Sequence, residues 1–457
     1  MSAERGTPYF QTNFTAEEFT ARRNRVIESI GPDSVAVLQG AAATGAFDIF
    51  RQSNEFFYFC GVEVPHAYLL LDGKTNKSIL YLPPCDEKNE RSDGPSLSLE
   101  DAEQAIRCTG VDEVRPREQL SKDLRTAITV YTPSAPSERR QACQDTLLHA
   151  RTLIGQDPYD KSKSRESVFQ RKLSAFHSAA DHADLTPFIN EMRGIKSASE
   201  IEMMRKTGLL TAMAVTEAMR CTQAGLVEYQ LAAVAEFVFN ANGSTGGGYR
   251  PIVATGDNIW NAHYFRNNCK LEDGNLVLMD YAPDYGCYTN DIGRFWPVNG
   301  TYSDVQRQLY GFIVEYHKVF LEILRPGVTV KQINDEAQAK MTPIVDQTQW
   351  LDPAFETAAR ECLAFKHHLT HPVGMAVHDV GPRTTDDYVF EPGFVFALDP
   401  QMWVKEQQIY IRVEDTVVIT EDGVENLTEA APLELDDVEK VMQEAGITSL
   451  RPDLLLD

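Results

Sequence analysis

Three apolar runs in this chain each end on a carboxylate: Leu276-Val-Leu-Met-Asp280, Phe394-Val-Phe-Ala-Leu-Asp399 and Ile409-Tyr-Ile-Arg-Val-Glu414. Short apolar runs bounded by turn-forming residues read as buried strands, so each acid is delivered to the interior. A fourth acid, Asp291, lies in Tyr288-Thr-Asn-Asp-Ile-Gly-Arg-Phe-Trp-Pro297. The intervening Pro283-Asp-Tyr-Gly286 reads as a turn that sets Asp280 and Asp291 facing each other across a hairpin. Burying one unpaired carboxylate costs several kcal/mol. Taken singly, Asp280 or Glu414 is explained by an arginine partner at a strand end. Four acids converging need more compensation than that, and divalent cations are its usual form.

The histidines sharpen this reading. Of the chain's ten, one sits in Asn261-Ala-His263-Tyr264, and His367, His368, His371 and His378 fall within Lys366–Asp379. One imidazole with several carboxylates suits Mn, Co, Fe or Zn. A thiolate site is not on offer, because the eight cysteines are scattered singly with no C-x-x-C pair. They read as reduced, mostly buried thiols. A Walker A loop, G-x-G-x-x-G, H-E-x-x-H and G-x-S-x-G are all absent, and Gly246-Gly247-Gly248 reads as a turn.

The net charge of −24 argues against nucleic acid or anionic membrane as a main partner. The first residues lack the basic and apolar segments of a secretory signal, and no stretch reaches the ~20 apolar residues of a membrane helix. A cytoplasmic, soluble protein is the expectation.

Two domains are predicted, 1–185 and 186–457. In the first, Thr15 and Glu18 form a capping box, Phe14 and Phe19 a staple, and Gly31-Pro32 a stop. Val35–Leu38, Phe56–Cys60, Ala67–Leu71 and Ile79–Leu82 then read as strands of one α/β sheet, with Ile128–Tyr131 farther on. In the second, Ser197/Glu200 and Ser303/Gln306 cap helices, and another helix carries Val227 to Val238. Strand-like runs at Pro251–Ala254, Leu276–Tyr281, Tyr288–Val298, Phe394–Leu398 and Tyr410–Thr420 complete an α+β domain with a largely antiparallel sheet.

The pattern Asp280…Asp291-Ile-x-Arg, His371-x-x-Gly-x-x-x-His378-Asp and Ile411-Arg-Val-Glu414-Asp resembles the pita-bread metallopeptidase family, in its Xaa-Pro aminopeptidase and prolidase branch. Arg22-Arg23…Ile49-Phe-Arg51-Gln-Ser-Asn-Glu-Phe-Phe-Tyr58…Gly61 is similar to the creatinase-type domain that precedes the catalytic domain there. The resemblance implies an α/β N-terminal domain followed by an α+β pita-bread catalytic domain. It implies five metal ligands, Asp280, Asp291, His371, Asp399 and Glu414, around two divalent ions, with Mn first and Co, Zn or Fe as alternatives. Asp291 and Glu414 are the implied bridging ligands. His263, His367 and His378 are the implied substrate-binding histidines, and Arg412 orients an acidic ligand. The implied reaction is hydrolysis of the bond before proline in small peptides with proline second, by a homodimer or homotetramer.

The chain departs from the family pattern in one neighbourhood. Asp399-Pro400-Gln401 stands where Glu-Pro-Gly is usual, Trp403 where Tyr is usual, and His368 where Gly is common; Gly293 replaces a Thr or Ser. Aspartate is one methylene, about 1.5 Å, shorter than glutamate. His368 reads as a surface or outer-sphere residue. Prolidase or another creatinase-like C–N hydrolase with a different substrate remains an alternative, as does a non-catalytic peptide- or protein-binding member of the fold.

Overall fold

A computed structural model describes residues 6–45, 48–124 and 127–450. The chain forms two compact units, Met1–Arg193 and Gly194–Asp457. The boundary read from sequence at 185/186 falls at the entry to the helix Thr186–Gly194.

The first unit opens with the helix Ala16–Ile30. Thr15 Oγ1 accepts from the Glu18 N–H (3.3 Å), and Phe14 packs on Phe19 with ring centroids 6.1 Å apart. These contacts satisfy an orphan amide and fix the chain's entry angle. Gly31, at φ +76°, closes the helix with its N–H on the Ile27 carbonyl. The strands are β1 (Ser34–Gln39), β2 (Tyr68–Asp72), β3 (Lys77–Leu82), β4 (Glu113–Pro116), β5 (Thr129–Thr132) and β6 (Asp181–Asp184). They form a mixed sheet in the order β4-β3-β2-β1-β5-β6, covering a core that includes Val35, Val37, Leu70, Ile79, Tyr81 and Val130.

Phe56–Cys60, expected as a strand, is part of the helix Asn54–Cys60. All seven of its residues are buried, so no polar face gives the helical period away. A short apolar run is ambiguous on periodicity alone, and the punctuation decides it. Ser53 is extended ahead of the first turn, and Gly61 takes the left-handed conformation (φ +65°) that ends the last.

The second unit carries β7 (Ile252–Thr255), β8 (Leu276–Asp280), β9 (Ile292–Pro297), β10 (Leu369–Pro372), β11 (Val395–Leu398), β12 (Gln401–Val404), β13 (Ile409–Arg412), β14 (Glu414–Ile419) and β15 (Val424–Asn426). The main sheet runs β10-β11-β14-β9-β8-β7, with β15 on β14, and its described ladders are antiparallel. The capped helices Ala198–Cys221 and Asp304–Ile323 begin at Ser197 and Ser303 with the capping boxes expected.

Two strand expectations change. Tyr288–Val298 yields a strand only from Ile292, because Tyr285 and Tyr288 close a tight turn over Gly286 (φ +59°) and Cys287 (φ +68°). Tyr410–Thr420 is two strands, not one. β13 pairs β12 in a separate two-stranded ribbon and β14 enters the main sheet, with the switch at Val413, whose N–H bonds the Pro400 carbonyl. That switch sets Arg412 and Glu414 two residues apart on different sheets.

Candidate metal centre

The β8–β9 ladder pairs Asp280 with Gly293, and the β14–β9 ladder pairs Gly293 with Glu414. Asp291, just ahead of β9, is therefore brought beside both acids. The Tyr249 hydroxyl donates to Asp280 Oδ1 (2.7 Å) and lies 3.1 Å from Asp291 Oδ1. Asp291, His371 and Glu414 each offer a ligand atom within 4.8 Å of the others, and His371 Nε2 is 3.5 Å from Asp291 Oδ2. The other ring nitrogen, Nδ1, is 3.2 Å from the Pro372 carbonyl oxygen. A proton held on Nδ1 leaves the Nε2 lone pair for an ion.

Asp399, at the end of β11, joins the group through Arg412. The guanidinium bonds Asp280 Oδ2, lies 3.1 Å from Glu414 Oε2 and 3.8 Å from Asp399 Oδ2. Asp280, Asp291, Asp399, Glu414 and Arg412 are all buried. Four carboxylates thus face one arginine.

The electrostatics follow from that imbalance. Burial, then the charges of Glu414 and Asp280, push the Asp291 carboxyl well above its ordinary range. Burial and Glu414 do the same to Asp399. Burial raises Glu414 to about 7, with Arg412 opposing the rise. Burial works against the Arg412 charge, but Glu414 and its neighbours outweigh it and hold the guanidinium firmly protonated. Asp399 Oδ1 is buried without a hydrogen-bond donor, and Glu414 Oε2 has the shared Arg412 guanidinium as its ion-pair partner. The carboxylate oxygens of Asp291 and Glu414 beside the His371 imidazole are the donor set of a hard or borderline divalent cation, so the residues present fit such an ion.

The remaining sequence candidates divide. His378 lies against His371 (ring centroids 4.0 Å) and near His263 (6.4 Å), so three imidazoles gather at the rim. His367 is exposed, with its ring on Phe365 at 5.4 Å; the described contacts do not bring it to that group. His368 is no surface residue, being fully buried. Its Nε2 bonds the Cys362 carbonyl (2.9 Å), and its own carbonyl accepts the Asp399 N–H (2.7 Å). Burial lowers its pKa to about 4, so it stays neutral.

Sequence reasoning missed Tyr249, which follows the glycine run read as a mere turn, and the buried Lys196–Asp379 ion pair (3.0 Å) directly after His378. The glycines were the available signal for Tyr249: a Cβ on Gly247 would strike the Tyr281 ring, so the run marks close packing beside the site.

Residues 202–421 match the profile of metallopeptidase family M24, and residues 19–133 that of the aminopeptidase P N-terminal domain. Xaa-Pro aminopeptidase of Escherichia coli is 30% identical, over 94% of this chain and 98% of its own length. This chain belongs to metallopeptidase family M24. Human Xaa-Pro aminopeptidase 3 is 29% identical over 94% of the M24 chain described here and 86% of its own length. The structure of E. coli aminopeptidase P with the inhibitor Pro-Leu superposes with a TM-score of 0.76 at 28% identity, covering 95% of this chain and 99% of that one. A zinc-substituted form of the same enzyme with product matches equally well, at 29% identity and TM-score 0.76. The M24 pita-bread domain and its preceding domain are therefore the fold, and divalent metal is the cofactor class.

Proposed function

We propose that this chain is an Xaa-Pro aminopeptidase that hydrolyses the peptide bond preceding proline, with Asp280, Asp291, His371, Asp399 and Glu414 holding two divalent cations, manganese foremost. The observation that carries the reading is the excess of buried carboxylate over arginine around the Asp291–His371–Glu414 donor triad. Near full-length similarity to proteins named Xaa-Pro aminopeptidase supports the substrate class.

Bound divalent cations supply Lewis acidity and lower the pKa of a water to about 7. Arg412 fixes the facing carboxylates of Asp280 and Glu414 by charge-assisted contacts. Tyr249 holds Asp280 Oδ1 by donating its proton and so turns Oδ2 toward Arg412. His378 and His263, whose rings lie 6.4 Å apart, would donate to the substrate carbonyl as it gains negative charge. Asp399 or Glu414 would relay the proton to the departing proline nitrogen. His367 serves the substrate from the exposed edge.

We assign 1–185 to the creatinase-type domain and 186–457 to the catalytic domain. Among the described residues no helix is long and apolar enough to cross a membrane; a cytoplasmic homodimer or homotetramer acting on small peptides is the proposed setting.

The test is to incubate the full chain with Mn²⁺ and matched tripeptides bearing proline or alanine second, and to read products by mass spectrometry. Release of the first residue from the proline peptides alone is expected. A metal-loaded chain inert to all of them points to a different C–N substrate, and a chain that binds peptide but cleaves none of any sequence points to a binding protein.

A further inference from the structure

Four of the departures from the family pattern, at 368, 399, 401 and 403, are joined by contacts into one cluster. The Gln401 side-chain amide donates to Asp399 Oδ2 (3.2 Å), and its carbonyl accepts from the Tyr410 hydroxyl (3.1 Å). The Gln401 backbone N–H donates to His368 Nδ1 (3.4 Å). With Nε2 donating to the Cys362 carbonyl, Nδ1 is the acceptor that this contact requires. Trp403 pairs with Tyr410 across the β12–β13 ribbon and stacks on it at 5.2 Å. Phe365 bridges Trp403 (5.5 Å) and His368 (5.1 Å).

The geometry bears on how a shortened acid serves a metal centre. Glycine at 401 would carry no amide, and glycine at 368 would leave the Gln401 N–H without its acceptor. With both side chains present, Oδ2 of Asp399 is tethered while the buried Oδ1 has no donor. The Gln401 backbone also faces Arg412 in register, and that guanidinium reaches Glu414 and Asp399.

We propose that Gln401 is a positioning residue that anchors Asp399 through Oδ2 and presents Oδ1 as the ligand atom, with His368, Tyr410 and Trp403 as its buttress. The Asp–Gln pair does here what one longer glutamate does elsewhere in the family. The inference rests on the metal-centre reading above.

The test titrates Mn²⁺ into the metal-stripped full chain by calorimetry, for the wild type, Gln401→Met, Asp399→Glu and Asp399→Glu/Gln401→Gly. Gln401→Met keeps the volume and loses the amide; it should weaken a Mn²⁺ step about 10-fold, the scale of losses around ligands, with the melting temperature of the stripped protein unchanged. Asp399→Glu alone should also weaken binding, because the amide already fills the space the extra methylene needs. Removing that amide in the double variant should restore affinity, so Gln401→Gly helps in one background and Gln401→Met harms in the other. Wild-type affinity in Gln401→Met, or a double variant weaker than Asp399→Glu, overturns the proposal while leaving the metal centre standing. A wild type that binds no Mn²⁺ overturns the metal-centre reading itself.

Discussion

Glu414 and Asp415 are neighbours on β14, and strand geometry turns their side chains to opposite faces. Asp415 is fully buried, yet Arg294 Nη2 lies 2.7 Å away, His317 Nε2 lies 3.1 Å away and the Thr428 hydroxyl donates to it. Burial works to raise its pKa, but Arg294 and His317 outweigh burial and hold the carboxyl well below the usual range. Glu414 faces Asp280 and Asp399 with a single shared arginine, and burial leaves it at about 7. Burial alone therefore does not mark a functional acid. What marks it is the local count of charge: a carboxylate supplied with its own cation belongs to the scaffold, whereas carboxylates that outnumber their cations wait for a partner from solution.

Removing each acid in turn should produce opposite phenotypes. Glu414→Gln is expected to reduce Xaa-Pro cleavage about 10⁴-fold, about 5 kcal/mol of barrier, while the melting temperature of the metal-stripped chain stays the same or rises. Steady-state kinetics and thermal denaturation on one preparation check both halves. Asp415→Asn should instead destabilise the chain by about 3–5 kcal/mol, because Arg294 is left buried and unneutralised; the read-out is a fall in melting temperature in the stripped protein.

The two faces should also respond differently to pH. Glu414 has a folded pKa of about 7 against an ordinary 4.5. Its protonated form is favoured by folding, so that stability is fully present below about 4.5 and is lost as pH rises through about 7. The stripped protein should melt several degrees lower at pH 8 than at pH 5.5, and Mn²⁺ should raise the melting temperature more at pH 8. Glu414→Gln should flatten the stripped-protein profile. Asp415, with its pKa lowered, contributes no change in that window. The smallest effect is Thr428→Val, which removes one donor to Asp415 and should cost about 1 kcal/mol without altering Mn²⁺ affinity.

The sequence made Asp280, Asp399 and Glu414 legible because each ends an apolar run, and the capping boxes at Ser197 and Ser303 because their partners are local. Phe56–Cys60 misled because a helix buried all round has no amphipathic period. Tyr410–Thr420 misled because the break at Val413 is imposed by which sheet each half joins, not by any glycine or proline inside it. The contacts of Tyr249 and Gln401 were out of reach for a similar reason: their partners Asp280 and Asp399 are set by register and turn, and neither residue type announces a site. The individual roles of the site residues were legible only through the family resemblance, since no local rule distinguishes Glu414 from Asp415.

The most direct test of the charge-count account is metal stoichiometry by mass spectrometry on the full chain after equilibration with Mn²⁺ and removal of free ion. The account predicts two ions per chain in the wild type and in Thr428→Val, and fewer in Glu414→Gln. A folded wild-type chain that retains none, or a Glu414→Gln chain that retains as many as the wild type, would contradict it.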